Sequence, residues 1–382
     1  MAELWTLECS ACGGTRDAQG FPTVCEQCGQ PYLVRYPEWP ERRPSAPPET
    51  GWSMWRYSAW LPLRHGETPV TLGEGGTPLR ESTRLGRRYG LDRLFVKDEG
   101  PNPTGSFKAR GLSMAVTRAV CAGARELAVP TAGNAGVATA AYARCAGVTA
   151  RVFAPATTPS KILSEIRRYG AELVIIDGHI GDCGRAARSY AAERGAVDLS
   201  TLREPYRLEG KKTLGLEIAE QLGWHFPDAV VYPAGGGTGL IGIWKAFQEL
   251  RASRWVTDEL PRMFAVQAEG CAPIVRAFRE GLDRCTPWPE PHTIAAGLRV
   301  PAPLGDRLML RVLRDSGGAA VAVSDAAIIE GASDALDHEE IDAAPEGGAA
   351  LAGARILREH GLLAAGDRVV VCNTGAGWLY RA

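Results

Sequence analysis

Residues 101–111 read PNPTGSFKARG and place one lysine, Lys108, between a loop broken by proline and glycine and a periodic segment. Ser106 is expected to cap a helix that begins near Phe107, so Lys108 falls in its first turn. The positive end of the helix dipole disfavours an ammonium there, which suits a nucleophilic amine that attacks an aldehyde. The alternatives are an ordinary surface lysine, or Lys97 in the preceding strand-like segment as the reactive amine.

The length and charge of the chain limit the kinds of partner to consider. A chain of 382 residues exceeds the size at which one hydrophobic core keeps growing, so two or more lobes around a ligand-binding cleft are expected. The 43 basic and 44 acidic side chains give a formal net charge of −1. No global field therefore favours nucleic acid or an anionic membrane, and we expect a small-molecule partner.

The N-terminus and the cysteine usage predict a cytoplasmic protein. The first residues, MAELWTLECSACGG, lack the basic start and apolar core of a secretory signal. No stretch approaches the roughly 20 apolar residues that span a bilayer. Six of the ten cysteines are scattered through predicted helices and strands, which suits a reducing compartment better than a disulfide framework.

The other four cysteines form two CxxC pairs near the N-terminus, Cys9 with Cys12 and Cys25 with Cys28. Each pair is followed by glycine, and twelve residues separate the pairs, a spacing typical of two knuckles that close a tetrahedral zinc site. Four thiolates leave no open coordination position, so the predicted zinc is structural. The alternatives are a stabilising disulfide pair or a knuckle that no longer binds metal.

Alternating apolar runs and amphipathic segments predict the fold class. Amphipathic segments such as 160–170 and 215–224 lie between most of the runs and are interpreted as helices. Strand–helix alternation favours an α/β fold with parallel sheets flanked by helices. The runs interpreted as buried strands are 94–97, 127–130, 150–155, 172–177, 229–234, 262–268 and 368–373.

Two further loops follow predicted strands, where α/β proteins collect their ligands. In PTAGNAGVATAAYA, residues 130–143, small residues precede an alanine-rich helix whose N-terminus favours an anion, and Asn134 can donate to an oxygen. A close helix–sheet contact is the alternative interpretation.

In AVVYPAGGGTGLIGIWKAF, residues 229–247, the glycine-rich loop predicts a phosphate cradle, with a structural turn as the alternative. The loop comprises Gly235, Gly236, Gly237, Thr238 and Gly239.

Together, PNPTGSFKARG, PTAGNAGVATAAY and PAGGGTGL resemble the fold-type II pyridoxal-phosphate enzymes. The lysine stretch, RLEGKKT at 207–213 and the leading four-cysteine segment are similar to the threonine synthases within that group. The resemblance implies a two-lobed α/β fold plus a small zinc-ribbon-like knuckle, and commonly a homodimer. It places a zinc-ribbon-like segment and linker at 1–48, a large cofactor domain at 49–119 and 201–382, and a small α/β domain at 120–200.

The same resemblance implies roles for individual residues. Lys108 would carry pyridoxal 5'-phosphate and shuttle protons, Asn134 would contact the cofactor's 3-oxygen, and the 235–239 loop would hold its phosphate. Thr374 falls where the family places a hydroxyl against the pyridine nitrogen, with a helix or turn cap as the alternative. Thr131, Gly133, Asn134 and Arg207 would bind the substrate.

For Arg207 in the RLEG motif, the implied ligand is the substrate's phosphate, which a guanidinium fork suits. Its alternative is a surface ion pair with Glu204 or Glu209. The implied reaction converts O-phosphohomoserine and water to threonine and phosphate.

Two departures keep other functions open. Ala109 stands where threonine synthases usually have aspartate, and GGGTG replaces their GNxGN-type loop. A serine/threonine ammonia-lyase or a β-replacing synthase, for example one that makes cysteate, is therefore a rival within the same fold. A non-catalytic binding protein is the rival from another class.

Overall fold

The computed structural model describes residues 5–45 and 52–381, so residues 46–51 of the predicted linker lie outside the described residues. The chain divides into two compact units. The first unit comprises residues 1–76 and 108–213, and the second comprises residues 77–107 and 214–381. The predicted domain limits at 48, 119 and 200 remain predictions. Within the described ranges, every helix is too short or too polar to cross a membrane.

The strands, in chain order, are β1 (Thr6–Cys9), β2 (Thr15–Arg16), β3 (Tyr32–Arg35), β4 (Leu79–Glu81), β5 (Arg93–Asp98), β6 (Glu126–Pro130), β7 (Thr149–Pro155), β8 (Glu172–Ile176), β9 (Val197–Asp198), β10 (Ala229–Pro233), β11 (Arg262–Ala268), β12 (Ala319–Val323) and β13 (Arg368–Asn373). The α-helices are α1 (Thr83–Tyr89), α2 (Lys108–Cys121), α3 (Asn134–Ala146), α4 (Ser160–Arg168), α5 (Ile180–Arg194), α6 (Tyr206–Gln221), α7 (Thr238–Ala252), α8 (Pro273–Arg279), α9 (Asp306–Asp315), α10 (Asp325–Glu339) and α11 (Pro345–Glu359). Short 3-10 helices cover Met54–Trp60, Ala296–Leu298 and Gly377–Tyr380.

The first unit contains two sheets. The N-terminal sheet is antiparallel, in the order β2-β1-β3, and carries the four-cysteine segment. The second sheet is parallel, in the order β8-β7-β6-β9. Apolar side chains from β1, β3, β6, α2 and α3 share one buried cluster, so burial of apolar surface ties the cysteine segment to the rest of this unit.

The second unit is built on a six-stranded sheet in the order β12-β11-β10-β13-β5-β4. Five strands are parallel and only the edge strand β4 is antiparallel. Helix α11 packs against β10, β12 and β13, while α7 and α9 pack against β11. The continuous apolar strands are typical of a parallel sheet covered by helices.

The predicted fold class is confirmed, and each of the seven predicted apolar runs falls on a strand to within one residue at its end. Helix α2 begins at Lys108, one residue after the expected start. The predicted cap by Ser106 is wrong, because its buried Oγ makes no hydrogen bond within the described residues. Helix α6 begins at Tyr206, well before the predicted start at 215. Its first turns bury charged residues, which hides the amphipathic pattern that the prediction depended on.

Candidate active site

The two candidate lysines lie in different surroundings. Lys97 is fully buried in β5, and its Nζ donates to Thr77 O at 2.6 Å, Gln221 Oε1 at 2.9 Å and Glu217 Oε2 at 2.9 Å. A lysine that completes a buried ion pair is held as an ammonium and is a poor nucleophile. Lys108 is only half-buried and is the first residue of α2, where the helix dipole disfavours the ammonium form.

The segment before Lys108 is held by the chain that follows β13. Phe107 N donates to Thr374 O at 3.1 Å, and Ser106 forms an isolated antiparallel bridge with Gly375. The Thr374 hydroxyl makes no hydrogen bond within the described residues, so it caps neither a helix nor a turn there. The alternative interpretation of Thr374 as a cap is therefore wrong, and its hydroxyl is available to a ligand.

Residues 131–136 form the turn into α3. Thr131 Oγ1 donates to Gly133 O at 2.7 Å and accepts from Gly133 N at 3.0 Å and Gly136 N at 3.1 Å. Thr131 therefore shapes the loop that presents Asn134, the first residue of α3. A side chain at Gly136 would press on Thr131 Cγ2 and on Ile166 Cδ1, so this helix also packs closely, as the alternative interpretation supposed.

The glycine-rich loop between β10 and α7 has the properties of an anion site. The backbone N–H groups of residues 236–239 make no hydrogen bond within the described residues, and neither does the Thr238 hydroxyl. They lie at the N-terminus of a 15-residue helix, where N–H groups and the helix dipole favour a phosphate.

Glycine is required in this loop for two reasons. Gly237 has a φ of 80°, which side chains rarely adopt, and any side chain there would overlap Met309. Side chains at Gly235 and Gly239 would overlap the Gly297 carbonyl and the Tyr232 hydroxyl respectively. The loop therefore keeps its backbone exposed to a ligand only with these small residues.

Strand pairing brings two predicted site loops to one edge of the second unit's sheet. Strands β10 and β13 are parallel neighbours, with Val231 opposite Val371. The 235–239 loop and Thr374 therefore both follow the carboxyl ends of adjacent strands, where ligands collect in α/β sheets.

Arg207, in the first turn of α6 in the first unit, is buried rather than on the surface. Its side chain is about 1% exposed, and its Nη1 donates to Leu199 O at 2.6 Å. Its Nε makes no hydrogen bond within the described residues, and no ion pair joins it to Glu204 or Glu209 there. The predicted alternative of a surface ion pair is therefore wrong. Burial lowers the pKa of Arg207, and the nearby Glu204 raises it only in part.

Glu204 caps α6 and shares the burial of Arg207. Its Oε2 accepts from Tyr206 N at 2.7 Å and from Arg207 N at 3.0 Å, while Oε1 makes no hydrogen bond in the described chain. Burial raises the pKa of Glu204 to about 7, against the opposing effect of Arg207.

Known proteins that resemble this chain distinguish an enzyme from a non-catalytic binding protein. The sequence profile of the family described as "Pyridoxal-phosphate dependent enzyme" matches residues 70–375. The threonine synthases of Methanosarcina acetivorans and Methanocaldococcus jannaschii are each 34% identical to this chain, over 97% of it and 91% of their own length.

This chain belongs to the pyridoxal-phosphate-dependent enzymes. Its relatives of known name place it in the threonine synthase branch, and it is a lyase that uses this cofactor. Among solved structures, a threonine deaminase from T.th. is 27% identical, and the match covers 78% of this chain and 92% of that one, with a TM-score of 0.66. Maize serine racemase, at 24% identity and a TM-score of 0.69, supports the fold alone.

The residues of this pyridoxal-phosphate-dependent enzyme fit the cofactor's chemistry. Free N–H groups at 236–239 match a phosphate, and the unbonded hydroxyls of Thr238 and Thr374 are donors and acceptors without a protein partner in the described chain. Lys108 supplies the amine that this cofactor requires.

A buried carboxylate that none of the sequence motifs indicated holds the loop before Lys108. Glu99 is fully buried, accepts the hydroxyl of Thr77, and accepts Asn102 Nδ2 at 2.9 Å. Asn102 Nδ2 also donates to Glu99 O at 2.9 Å, which fixes the PNPTG turn. The sequence does contain a signal for this carboxylate, because the charged residues KDE directly follow an apolar run. Charged side chains at the end of a buried strand are rarely buried without a partner, so a partner for Glu99 could have been expected.

The four cysteines of the N-terminal segment lie together. Their Sγ atoms are all within 4.8 Å of one another, including Cys9 to Cys28 at 3.3 Å and Cys12 to Cys25 at 3.7 Å. All four are free thiols, so the alternative of a disulfide pair is wrong. Burial raises the pKa of Cys25, but backbone N–H groups of Cys28 and Gln27 outweigh it and lower the pKa to about 6.

Proposed function

We propose that this enzyme converts O-phosphohomoserine and water to threonine and phosphate. The proposal depends on the burial of Arg207, whose Nε has no hydrogen-bond partner in the described chain. A buried cation without an ion pair is costly unless an anion binds to it. A phosphate dianion on the substrate supplies that anion, and the threonine synthase relatives agree with it.

Each remaining site residue is proposed to hold one part of the cofactor. Lys108 attaches it covalently, Asn134 contacts its 3-oxygen, and the 235–239 loop with Thr238 binds its phosphate. Thr374 contacts the pyridine nitrogen with a hydroxyl, which does not hold a proton there as a carboxylate does. When bound, pyridoxal phosphate supplies an electron sink that stabilises negative charge on carbons next to the amino acid's nitrogen.

The proton transfers are assigned to Lys108. Its amine removes the proton from the substrate's α carbon and then one from the β carbon, since it lies at a helix start that favours its neutral form. The phosphate group leaves from the γ carbon while Arg207 compensates its charge. Lys108 is proposed to return one proton to the γ carbon, which becomes the methyl group, and one to the α carbon. Water supplies the hydroxyl at the β carbon, and its remaining proton balances the hydrogen phosphate that is released.

The substrate binding proposed for residues 131–134 depends on the start of α3. Asn134 and the N-terminus of α3 favour the substrate's carboxylate. Thr131 and Gly133 contribute mainly by shaping the loop, because the Thr131 hydroxyl hydrogen is already donated to Gly133 O.

The test is a product assay on the purified enzyme with pyridoxal phosphate. O-Phosphohomoserine should yield threonine and inorganic phosphate in equal amounts, and Lys108→Ala should abolish both together with the visible absorbance of the lysine-bound cofactor. The control is Lys161→Ala, because Lys161 is partly exposed and its ion pair with Glu165 lies within α4. Lys97→Ala is not a suitable control, because it removes the ammonium that pairs with the buried Glu217 carboxylate.

A serine/threonine ammonia-lyase is the second candidate function. The GGGTG loop and the 27% identical threonine deaminase structure favour it. Parallel assays with serine and threonine decide between the two, since ammonia and a keto acid as the only products would exclude our first proposal. A β-replacing synthase would instead require an added nucleophile for turnover.

We also propose that the four thiolates bind one structural zinc ion. In a tetrahedral site with Zn–S bonds of about 2.3 Å, the sulfurs lie about 3.8 Å apart, close to the two separations above. All four positions are then occupied by protein ligands, so the metal takes no part in the reaction. A homodimer in the cytoplasm is proposed from the family alone.

A further inference from the structure

The four-cysteine segment contacts the helix turn that carries Arg207. Tyr36, the residue after β3, donates from its Oη to Glu209 Oε2 at 2.7 Å. The same oxygen accepts from Lys212 Nζ at 2.7 Å, and that ammonium lies 4.3 Å from the centre of the Tyr36 ring. Glu209 and Lys212 are fully buried in α6, two and five residues after Arg207.

A second contact joins the same two elements. The ring of Phe21, in the loop between the two CxxC pairs, lies 5.3 Å from that of Tyr206, the first residue of α6. The cysteine segment therefore packs against the first turn of α6 through one aromatic pair and one buried charged hydrogen bond.

On another side, α6 is packed tightly against α2. A side chain at Gly111 would come within 2.9 Å of Arg207 O and 2.7 Å of Lys211 Nζ, and one at Gly210 would overlap the Arg110 carbonyl. The backbone of Arg207 is thus held between α2 and the residues that the cysteine segment contacts.

The cysteine site is linked to Tyr36 through the strands themselves. Cys9 ends β1 and pairs with Tyr32, the first residue of β3, while Ser10 N donates to Pro31 O at 3.0 Å. Metal-bound thiolates fix this end of both strands, and β3 then leads directly to Tyr36.

We propose that Tyr36 is a positioning residue for the phosphorylated substrate, because it holds the first turns of α6 and therefore Arg207. Metal in the four-cysteine site is coupled to substrate binding through the same contact. This inference rests on the proposed function of Arg207. Its physical basis is that a hydrogen bond to a buried carboxylate is among the stronger ones, and that Glu209 loses a partner when the hydroxyl is removed.

The test compares Tyr36→Phe with Arg35→Gln. Phenylalanine keeps the ring on Lys212 and removes only the hydroxyl. Arg35 is the preceding residue and forms an exposed ion pair with Glu8 within the same sheet, so its variant perturbs the segment without touching α6. Tyr36→Phe should raise KM for O-phosphohomoserine about five- to tenfold with little change in kcat, and Arg35→Gln should change neither.

Hydrogen exchange of backbone amides gives a readout that needs no turnover. In Tyr36→Phe and in metal-depleted wild type, amides 206–213 should exchange faster, while amides of the first turn of α7 keep their rates. Unchanged exchange at 206–213 in both samples overturns the inference. So does an equal rise of KM for O-phosphohomoserine and for serine, which indicates general loosening.

Failure of the proposed function is distinguishable from failure of the inference. If wild type forms no threonine while exchange at 206–213 still responds to Tyr36→Phe and to metal, the coupling stands and the phosphate role of Arg207 falls. If threonine forms and neither change affects exchange, the coupling falls and the proposed function stands.

Discussion

At the scale of single residues, environment separates side chains that look alike in the sequence. Lys97 and Lys108 are eleven positions apart, yet Lys97 is fully buried with the Glu217 carboxylate at 2.9 Å, while Lys108 is half-buried at a helix start. Ala109, where threonine synthases usually have aspartate, is fully buried in the apolar cluster of the first unit. That departure therefore concerns the packing of α2, and it carries less information about the substrate than its place beside Lys108 suggests.

Arg207→Ala tests the substrate's phosphate at this scale. We expect kcat/KM for O-phosphohomoserine to fall about 100-fold, about 3 kcal/mol, because a buried charge-assisted contact is lost. Activity with serine, if any is measurable, should fall far less. Arg203→Ala, which removes a looser pair with Asp198 at 3.5 Å, is the control. Equal losses for both substrates would remove Arg207 from the phosphate site.

Glu204 predicts a pH dependence of stability. Its pKa is about 7 when folded and near 4.5 when unfolded, so the folded state holds the proton more tightly. The stabilisation from this group is present below about pH 4.5 and is lost as the pH rises through about 7. Glu204→Gln keeps an acceptor for the α6 cap and cannot titrate.

The measurement is urea unfolding of both proteins at about pH 5 and about pH 8. Wild type should lose more free energy of unfolding over this interval than Glu204→Gln, by on the order of 1–3 kcal/mol. Comparison with the variant removes the contribution of other buried acids such as Asp98, whose pKa burial also raises. An equal change in the free energy of unfolding for both proteins would contradict the raised pKa of Glu204.

At the scale of elements, helix starts carry the proposed site residues. Lys108, Asn134, Arg207 and Thr238 each lie in the first turn of α2, α3, α6 and α7 respectively. The positive ends of the helix dipoles there favour anions and disfavour protonated amines. One geometric feature thus suits a nucleophilic amine, a carboxylate and two phosphates.

Gly210→Ala tests the packing of α6 on α2. The new methyl group would overlap the Arg110 carbonyl, so the helices must separate or a backbone shift must absorb it. We expect a loss of about 1–3 kcal/mol in the free energy of unfolding. Gly366→Ala is the control, since a side chain there meets nothing within 4 Å and its φ is not positive. Thermal or urea unfolding measures both, and equal stability of the two variants would contradict the close contact.

At the scale of the whole molecule, the chain combines two compact units with a four-cysteine segment that belongs to the first of them. The segment shares an apolar cluster with β6, α2 and α3. Its stability therefore affects a unit that carries Lys108 and Arg207, although no cysteine of the cluster is assigned a catalytic role.

Metal analysis tests this organisation. The purified enzyme should contain about one zinc ion per chain, and Cys25→Ser should lose it and lower the thermal midpoint, because folding and metal binding are coupled. Cys121→Ser, an exposed thiol outside the cluster, should keep both the zinc and the midpoint. A wild type without zinc and with unchanged stability after chelation would show that the cysteines no longer bind metal.

Local sequence patterns were enough to predict the fold class, the cofactor and the residues that follow strands. Apolar runs of strand length, glycine-rich loops and CxxC spacing are local signals, since each depends on neighbours in the chain. The partners of the buried charged side chains, by contrast, depend on the three-dimensional fold. The structure showed that Lys97 is paired, that Ser106 caps nothing within the described residues, that Arg207 is buried without an ion pair there, and that Tyr36 reaches Glu209. Burial and long-range partners depend on residues far apart in the chain, and no local pattern specifies them.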